Sequence, residues 1–238
     1  MGVLLCHGFT GSPQTLRPWA EYVAQQGFTV SLPRLPGHGT TWQDLDGTTW
    51  RDWEREVERA LADLRTRCQD VVVVGLSMGG AMAIHIAANH AKELRGIAVI
   101  NGLVRRPELA LVPIIRLFTR SVKGVGNDIK KQGQDEIVYD RVPLRAVVQM
   151  GKLIRTADAE LPSLTLPLLV FSSPEDHTVK PENSRRILER AGSSEKELVT
   201  LSNSYHVATL DHDAPMIFER ILEFVGSTAV TAPPTTPG

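Results

Sequence analysis

Cysteine is nearly missing from this chain: two occur, Cys6 in an apolar run and Cys68 at the end of a helical segment. That excludes a disulfide framework and any C-x-x-C metal or redox pair, and it fits a reducing cytoplasm. Long apolar runs are missing too. Nowhere do about 18 apolar residues follow one another, so no membrane-spanning helix is expected. No basic stretch leading into a long apolar segment marks a signal peptide. Charge of one sign is also missing. With a formal net charge of -1, there is no electrostatic reason to expect nucleic acid or an anionic membrane surface as partner. A small or uncharged ligand is the expectation. Metal-ligand spacing and cofactor motifs are not found: His85 and His90 stand five apart on a helical segment, so they do not share one face for zinc.

What is present is organised around Gly75-Leu76-Ser77-Met78-Gly79-Gly80. The run Val71-Val72-Val73-Val74 before it reads as a buried strand, and Ala81 to Ala88 after it reads as a helix packed closely on a sheet. Glycines flank Ser77 at the spacing G-x-S-x-G, where missing side chains let the backbone turn sharply and lift the hydroxyl above the strand ends. Ser77 would then sit at a helix N-terminus, whose free N–H groups favour a developing anion. The stretch is built for nucleophilic attack.

With 42% hydrophobic residues in 238, one domain with an insertion is the economical reading. In order, strand 2–6 leads into the glycine-rich loop His7-Gly8-Phe9-Thr10-Gly11, and a helix from Thr15 or Pro18 to Gln26 stops at Gly27. Strand 28–32 follows. Thr49 can cap a helix over 50–67, where Trp53, Val57, Ala60, Leu61 and Leu64 form one apolar stripe. Beyond the nucleophile strand and helix 78–90 comes strand 97–101. Over 103–162 proline and glycine interrupt the alternation, which predicts an inserted cap whose later part, 143–157, is helical and returns to the core. Strand 168–172, helix 182–191, strand 198–201 and helix 215–225 resume it. The fold class is α/β, a mostly parallel, doubly wound sheet, with the core in 1–102 and 163–226. Residues 227–238, mainly Thr, Ala and Pro, are expected to form a disordered tail.

A serine hydroxyl needs a base to take its proton, and the base needs a carboxylate to orient it. His206, after a strand near the C-terminus, stands where a Ser-acid-His order places the base; His212, between Asp211 and Asp213, is explained by helix entry. Glu175 and Asp176 both follow strand 168–172, and the shorter Asp176 is the better orienter. The oxyanion needs two backbone N–H groups, assigned to Met78 after the nucleophile and to Phe9 in the first loop. His7 is read as pinning that loop by hydrogen bonds.

Together His7-Gly8-Phe9-Thr10-Gly11-Ser12-Pro13, Pro33-Arg34-Leu35-Pro36-Gly37-His38-Gly39-Thr40, the Ser77 motif, Glu175-Asp176-His177 and the stretch 204–211 resemble the bacterial monoacylglycerol lipases and related carboxylesterases of the α/β-hydrolase fold. The likeness spans 2–225. It implies Ser77, Asp176 and His206 as triad, Phe9 and Met78 as oxyanion donors, and a cap over an acyl tunnel. It also implies that Glu136, in the cap, hydrogen-bonds a glycerol group. The expected reaction is hydrolysis of carboxylic esters, monoacylglycerols preferred, without cofactor or metal; a short-chain carboxylesterase or thioesterase is the runner-up, and a binding module without turnover a third reading. Apolar cap residues such as Ile114, Ile115, Leu117 and Phe118 suit an acyl site or brief contact with a lipid interface. The family carries two strands ahead of the one that feeds the oxyanion loop, whereas here that strand starts almost at Met1. Either the true start lies upstream or those strands are missing; if they are missing, strand 28–32 becomes a sheet edge open to another chain, and poorer stability or a homodimer is the expectation.

Overall fold

The computed structural model describes residues 1–124 and 126–228. In chain order the strands are β1 (Gly2–Cys6), β2 (Thr29–Ser31), β3 (Val71–Leu76), β4 (Gly96–Ile100), β5 (Ser121–Lys123), β6 (Arg141–Pro143), β7 (Leu168–Ser172) and β8 (Lys196–Thr200). The α-helices are α1 (Arg17–Gln25), α2 (Trp42–Asp46), α3 (Trp50–Arg65), α4 (Met78–Asn89), α5 (Val112–Ile115), α6 (Leu144–Glu160), α7 (Glu182–Arg190) and α8 (Ala214–Thr228).

Six strands form one all-parallel sheet in the order β2-β1-β3-β4-β7-β8. Its inner strands read as unbroken apolar runs because both faces are covered. Successive residues serve opposite sides: Leu4, Val73, Val99 and Val170 pack under α3, α4 and α6, while Val3, Leu5, Val72, Val74 and Phe171 pack against α1 and α8. Burial of these side chains is nearly complete, at roughly 1.5–3 kcal/mol for each large one. From β1 the chain steps one way to β2 and then returns past β1 to build β3, β4, β7 and β8. The carboxyl ends of β1 and β3 therefore flank the point where strand order reverses, which is where an open α/β sheet leaves a crevice for ligand. Among the described residues, strand β2 stands at one edge of the sheet and β8 at the other.

Thr49 starts α3 through its backbone N–H and hydroxyl, which donate to Asp52 Oδ2 at 2.8 and 2.6 Å. Gly27, with φ of 87°, ends the α1 segment in a conformation that costs a glycine little. Between β4 and β7 the alternation stops, as expected. That segment holds a 3-10 turn (Pro107–Leu111), α5, and β5 paired antiparallel with β6. Val112 is buried, but several large apolar side chains point outward, Phe118 being 86% and Leu117 79% exposed. Helix α6 then lays Leu144, Val147, Leu153 and Ile154 onto the core beneath α3 and α4.

One expectation is corrected. Ser227 and Thr228, assigned from composition to an unfolded tail, complete α8; their hydroxyls donate to the carbonyls of Phe224 and Val225 at 2.9 and 3.1 Å, satisfying groups that a helix end leaves unpaired. Residues 229–238 lie outside the described residues. Among the described residues no helix is long and apolar enough to cross a membrane.

Candidate active site

The turn between β3 and α4 is steric before it is chemical. A side chain on Gly75 would collide with the carbonyl of Gly79, one on Gly79 with the carbonyl of Cys6, and one on Gly80 would meet Val99 at 2.8 Å. Only glycine lets α4 start this close to β1 and β4. The resulting bend forces Ser77 to φ 59°, ψ -120°, a strained conformation for a residue with a side chain. Its Ser77 N–H is held by the Ile100 carbonyl at 3.0 Å and its own carbonyl accepts from Gly80 and Leu103. Ser77 is thus fixed at the carboxyl edge of the sheet with its side chain on a cavity that His206, Phe9, Glu136 and Asp128 also line.

The loop after β1 is braced from within. His7 is fully buried; its Nδ1 donates to the Gly8 carbonyl at 3.0 Å while Nε2 accepts from the Leu35 N–H at 3.2 Å. Burial pushes its pKa down to about 4, so the ring is neutral and structural, as the sequence suggested. The Phe9 ring packs against His38 and Trp53, and His38 is also buried, its pKa pushed down to about 3 by burial, with no hydrogen-bond partner at Nε2 among the described residues. The Phe9 and Met78 N–H groups donate to no acceptor among the described residues. Phe9 lines the cavity, and Met78 follows Ser77 as the first residue of α4.

His206 follows β8 by a short loop, and its Nδ1 lies 2.7 Å from Asp176 Oδ2. A carboxylate only accepts, so Nδ1 carries a proton and Nε2 is the nitrogen not engaged by Asp176. Asp176 Oδ1 accepts from the N–H groups of Thr178 and Val179 at 2.8 and 2.6 Å, which locks the carboxylate with a 1% exposed side chain. Ser77 and His206 border the same cavity without a direct hydrogen bond between them, a spacing common before substrate tightens such a site. The rival residues fall elsewhere. Glu175 faces outward and accepts from Lys130 Nζ at 3.2 Å, and the His212 N–H donates to the side chain of Asp211.

Glu136 reaches the cavity from the segment between β5 and β6. Gln14 clamps its neighbours, donating to the Asp135 carbonyl at 2.9 Å and accepting from the Ile137 N–H at 3.2 Å. The carboxylate sits over Gly11, where a Cβ would come 2.8 Å from Oε1. Burial raises its pKa to about 6; proximity to His206 opposes the shift and that to Asp128 adds to it.

A family model described as the alpha/beta hydrolase family matches residues 3–217. The chain belongs to the alpha/beta hydrolase family. A relative from Bacillus sp. (strain H-257), named a thermostable monoacylglycerol lipase, is 44% identical over 230 residues, covering 96% of this hydrolase and 92% of that protein. A solved structure from work on LipS and LipT, two metagenome-derived lipolytic enzymes, superposes with a TM-score of 0.92 at 41% identity, over 95% of this chain and 93% of that one. The fold is shared as well, at 19% identity and a TM-score of 0.80, with a monoacylglycerol lipase from Paleococcus ferrophilus, over 96% and 95% of the two chains.

Three supporting residues of this alpha/beta hydrolase escaped sequence reasoning. Asn101, at φ 44° just past β4, donates to Ser173 Oγ at 3.0 Å and to the His206 carbonyl at 2.8 Å. Asp211 is 1% exposed and accepts from the N–H groups of Tyr205, Lys130 and Lys131. Asp128 is bonded to the residues following Asp176 and His206. An Asn ending an apolar strand and an Asp inside a histidine loop are weak signals, since either type is ordinary in turns.

Proposed function

We propose that this hydrolase cleaves carboxylic esters, with monoacylglycerols preferred, through Ser77 as nucleophile, His206 as base and Asp176 as its orienting carboxylate. The observation that carries the reading is a strained serine at a glycine-lined turn sharing one cavity with an imidazole whose far nitrogen is held by a buried carboxylate. His206 Nε2 takes the hydroxyl proton as Ser77 Oγ attacks the ester carbonyl. The oxyanion is met by the Phe9 and Met78 N–H groups, each donor contributing on the order of 100-fold to 1000-fold in rate. The alcohol leaves with the proton from His206, and water repeats the cycle on the acyl-enzyme. Glu136 accepts a hydrogen bond from a glycerol hydroxyl. The name of the 44% identical Bacillus relative supports monoacylglycerol as substrate.

Residues 103–162 act as the cap, with α6 as its return to the core. Cavity size favours a second reading. The space around Ser77 is about 100 Å³, below the ~300–1,000 Å³ usual for a ligand pocket. It holds the reacting ester of a short-chain carboxylesterase or thioesterase substrate; a long acyl chain needs the cap to yield, or the adjoining groove of about 830 Å³ that shares Leu103, Arg106, Thr178 and Val179. The outward Leu117 and Phe118 would touch a lipid interface briefly. The open β2 edge would receive a second copy, and two free cysteines suit a cytoplasmic location.

Covalent labelling by a serine-directed phosphonate tests the chemistry: the wild type is labelled and Ser77→Ala is not. An unlabelled wild type ends the proposal. Initial rates on glycerol, alkyl and thioester substrates of graded chain length decide between the two readings, because a glycerol preference disappears if Glu136 does not meet the alcohol.

A further inference from the structure

Residues 126–131 of the cap form a strap across two loops that the proposed reaction cannot do without. Asp128 lines the cavity with a side chain only 11% exposed. Its Oδ1 accepts from His177 Nδ1 at 2.8 Å, and its Oδ2 accepts from the His177 N–H and the Thr178 hydroxyl, both at 3.1 Å. These donors belong to the two residues directly after Asp176. Its carbonyl accepts from the Val207 N–H at 3.1 Å, the residue directly after His206. One residue thereby holds both loops at the positions next to the pair that must stay aligned.

Neighbouring contacts close the same bridge. The His177 ring meets the Tyr205 ring edge-on, with centroids 4.6 Å apart. Lys130 Nζ lies 5.4 Å from the Tyr205 ring centroid and donates to Glu175, while the Lys130 and Lys131 N–H groups donate to Asp211, which also holds Tyr205. The cap therefore does more than cover the cavity.

We propose that Asp128 is a positioning residue: from the cap it locks the Asp176 loop to the His206 loop and so sets the imidazole's aim at Ser77. Three donors converge on one carboxylate; an amide in its place keeps a single accepting oxygen and presents an N–H on the other side, where the His177 backbone N–H cannot accept and His177 Nδ1 must give up its proton to do so. The inference rests on the triad reading above. It does not depend on the glycerol contact, so a substrate without hydroxyls isolates it.

The test compares kcat and KM of full-length wild type, Asp128→Asn, and His177→Ala/Thr178→Val on p-nitrophenyl butyrate, with circular dichroism to check folding. Misplacement of the base lowers kcat by about 10-fold to 100-fold while KM stays within about twofold, the pattern of a lost transition-state interaction. Should Asp128→Asn fail to fold, the His177→Ala/Thr178→Val pair, which removes two of the donors from the other side, must show the same split. An unchanged kcat in the folded variant overturns the inference, and so does a raised KM at constant kcat, which would assign Asp128 to binding. A wild type that neither turns over the ester nor takes the phosphonate label would instead sink the triad reading itself.

Discussion

His85 and His206 have equally buried side chains, each 8% exposed, and each ring meets a carboxylate. Burial and acidity therefore do not separate them. What separates them is the second nitrogen. His85, on α4, has both nitrogens engaged, with Nδ1 2.7 Å from Glu160 on α6 and Nε2 2.6 Å from Glu54 on α3. Burial pulls its pKa down, but the hydrogen bonds to Glu160 and Glu54 outweigh that and leave it raised. With a carboxylate on each side, it rivets three helices. His206 has one carboxylate, which orients the ring, and an Nε2 left over for the cavity. Two carboxylates leave neither nitrogen of His85 to spare; a single one leaves His206 a nitrogen for the role proposed above.

That contrast breaks first at the site, where the largest effect is expected. Asp176→Asn should lower kcat on the order of 10,000-fold, because an amide can donate to Nδ1 and impose the wrong tautomer. His206→Ala should cost at least as much. His85→Gln, equally buried, should leave kcat for p-nitrophenyl butyrate nearly unchanged. A His85 variant that loses turnover as severely as Asp176→Asn while keeping its fold would erase the distinction between the two imidazoles.

The next effect is on stability and belongs to His85. Removing it strands the 10% exposed carboxylate of Glu54 with Arg51 alone, at a cost on the order of 3 kcal/mol. The pH dependence has a definite sign. The folded pKa of His85 lies above its ordinary 6.5, so its stabilisation is full below that value and is lost as pH rises through the raised one. Glu54 works the other way. Burial alone would lift its pKa, yet the bonds from Arg51 and His85 leave it lowered from 4.5, so its share is present above that value and is lost on acidification. The cluster is strongest between about pH 5 and 6.5. Urea midpoints at pH 6 and pH 9 should fall apart for the wild type and converge for His85→Gln; parallel shifts in both proteins would show that the clamp carries no charge.

Strand–helix alternation was readable from the sequence because burial on two faces leaves unbroken apolar runs such as Val71 to Val74, and because the turn at Ser77 tolerates nothing but glycine at Gly75 and Gly79. The same logic ranks His206 over His212, since chain order alone puts the former after a strand. What could not be read depends on contacts between distant residues. Glu54 looks like one more charge on an amphipathic helix until Glu160 and His85 arrive beside it from elements far along the chain. Asp128 sits in a polar stretch with no periodicity, and its worth comes from the two loops it ties. The pairing of β5 with β6 is hidden for a related reason: three-residue strands carry too little alternation to signal a register. Ser227 and Thr228 show the reverse error, where a Thr- and Pro-rich composition concealed the end of a helix anchored by Ile217, Ile221 and Val225.

Glu136 carries the smallest expected effect and sharpens the comparison most. Like Glu54 it is a carboxylate removed from water, but among the described residues no arginine or imidazolium is hydrogen-bonded to it, and burial holds its pKa up at about 6 from 4.5. A raised pKa in an acid means that the folded state resists ionisation, so stability falls as pH rises through that range. Glu136→Gln should therefore be more stable than wild type by about 1 kcal/mol at pH 8, after discounting for its partial exposure, and no different at pH 4. A gain of that size moves the melting temperature of a chain this long by roughly 2–4 °C. The same variant should lose about 10-fold in kcat/KM on a monoacylglycerol, the worth of one hydrogen bond to a charged group, and nothing on p-nitrophenyl butyrate. Melting curves at the two pH values and the two substrate profiles test both halves. If Glu136→Gln melts lower at pH 8, the carboxylate is a structural partner like Glu54; if it melts higher and loses only the glycerol ester, an uncompensated charge is being held for the alcohol end of the substrate.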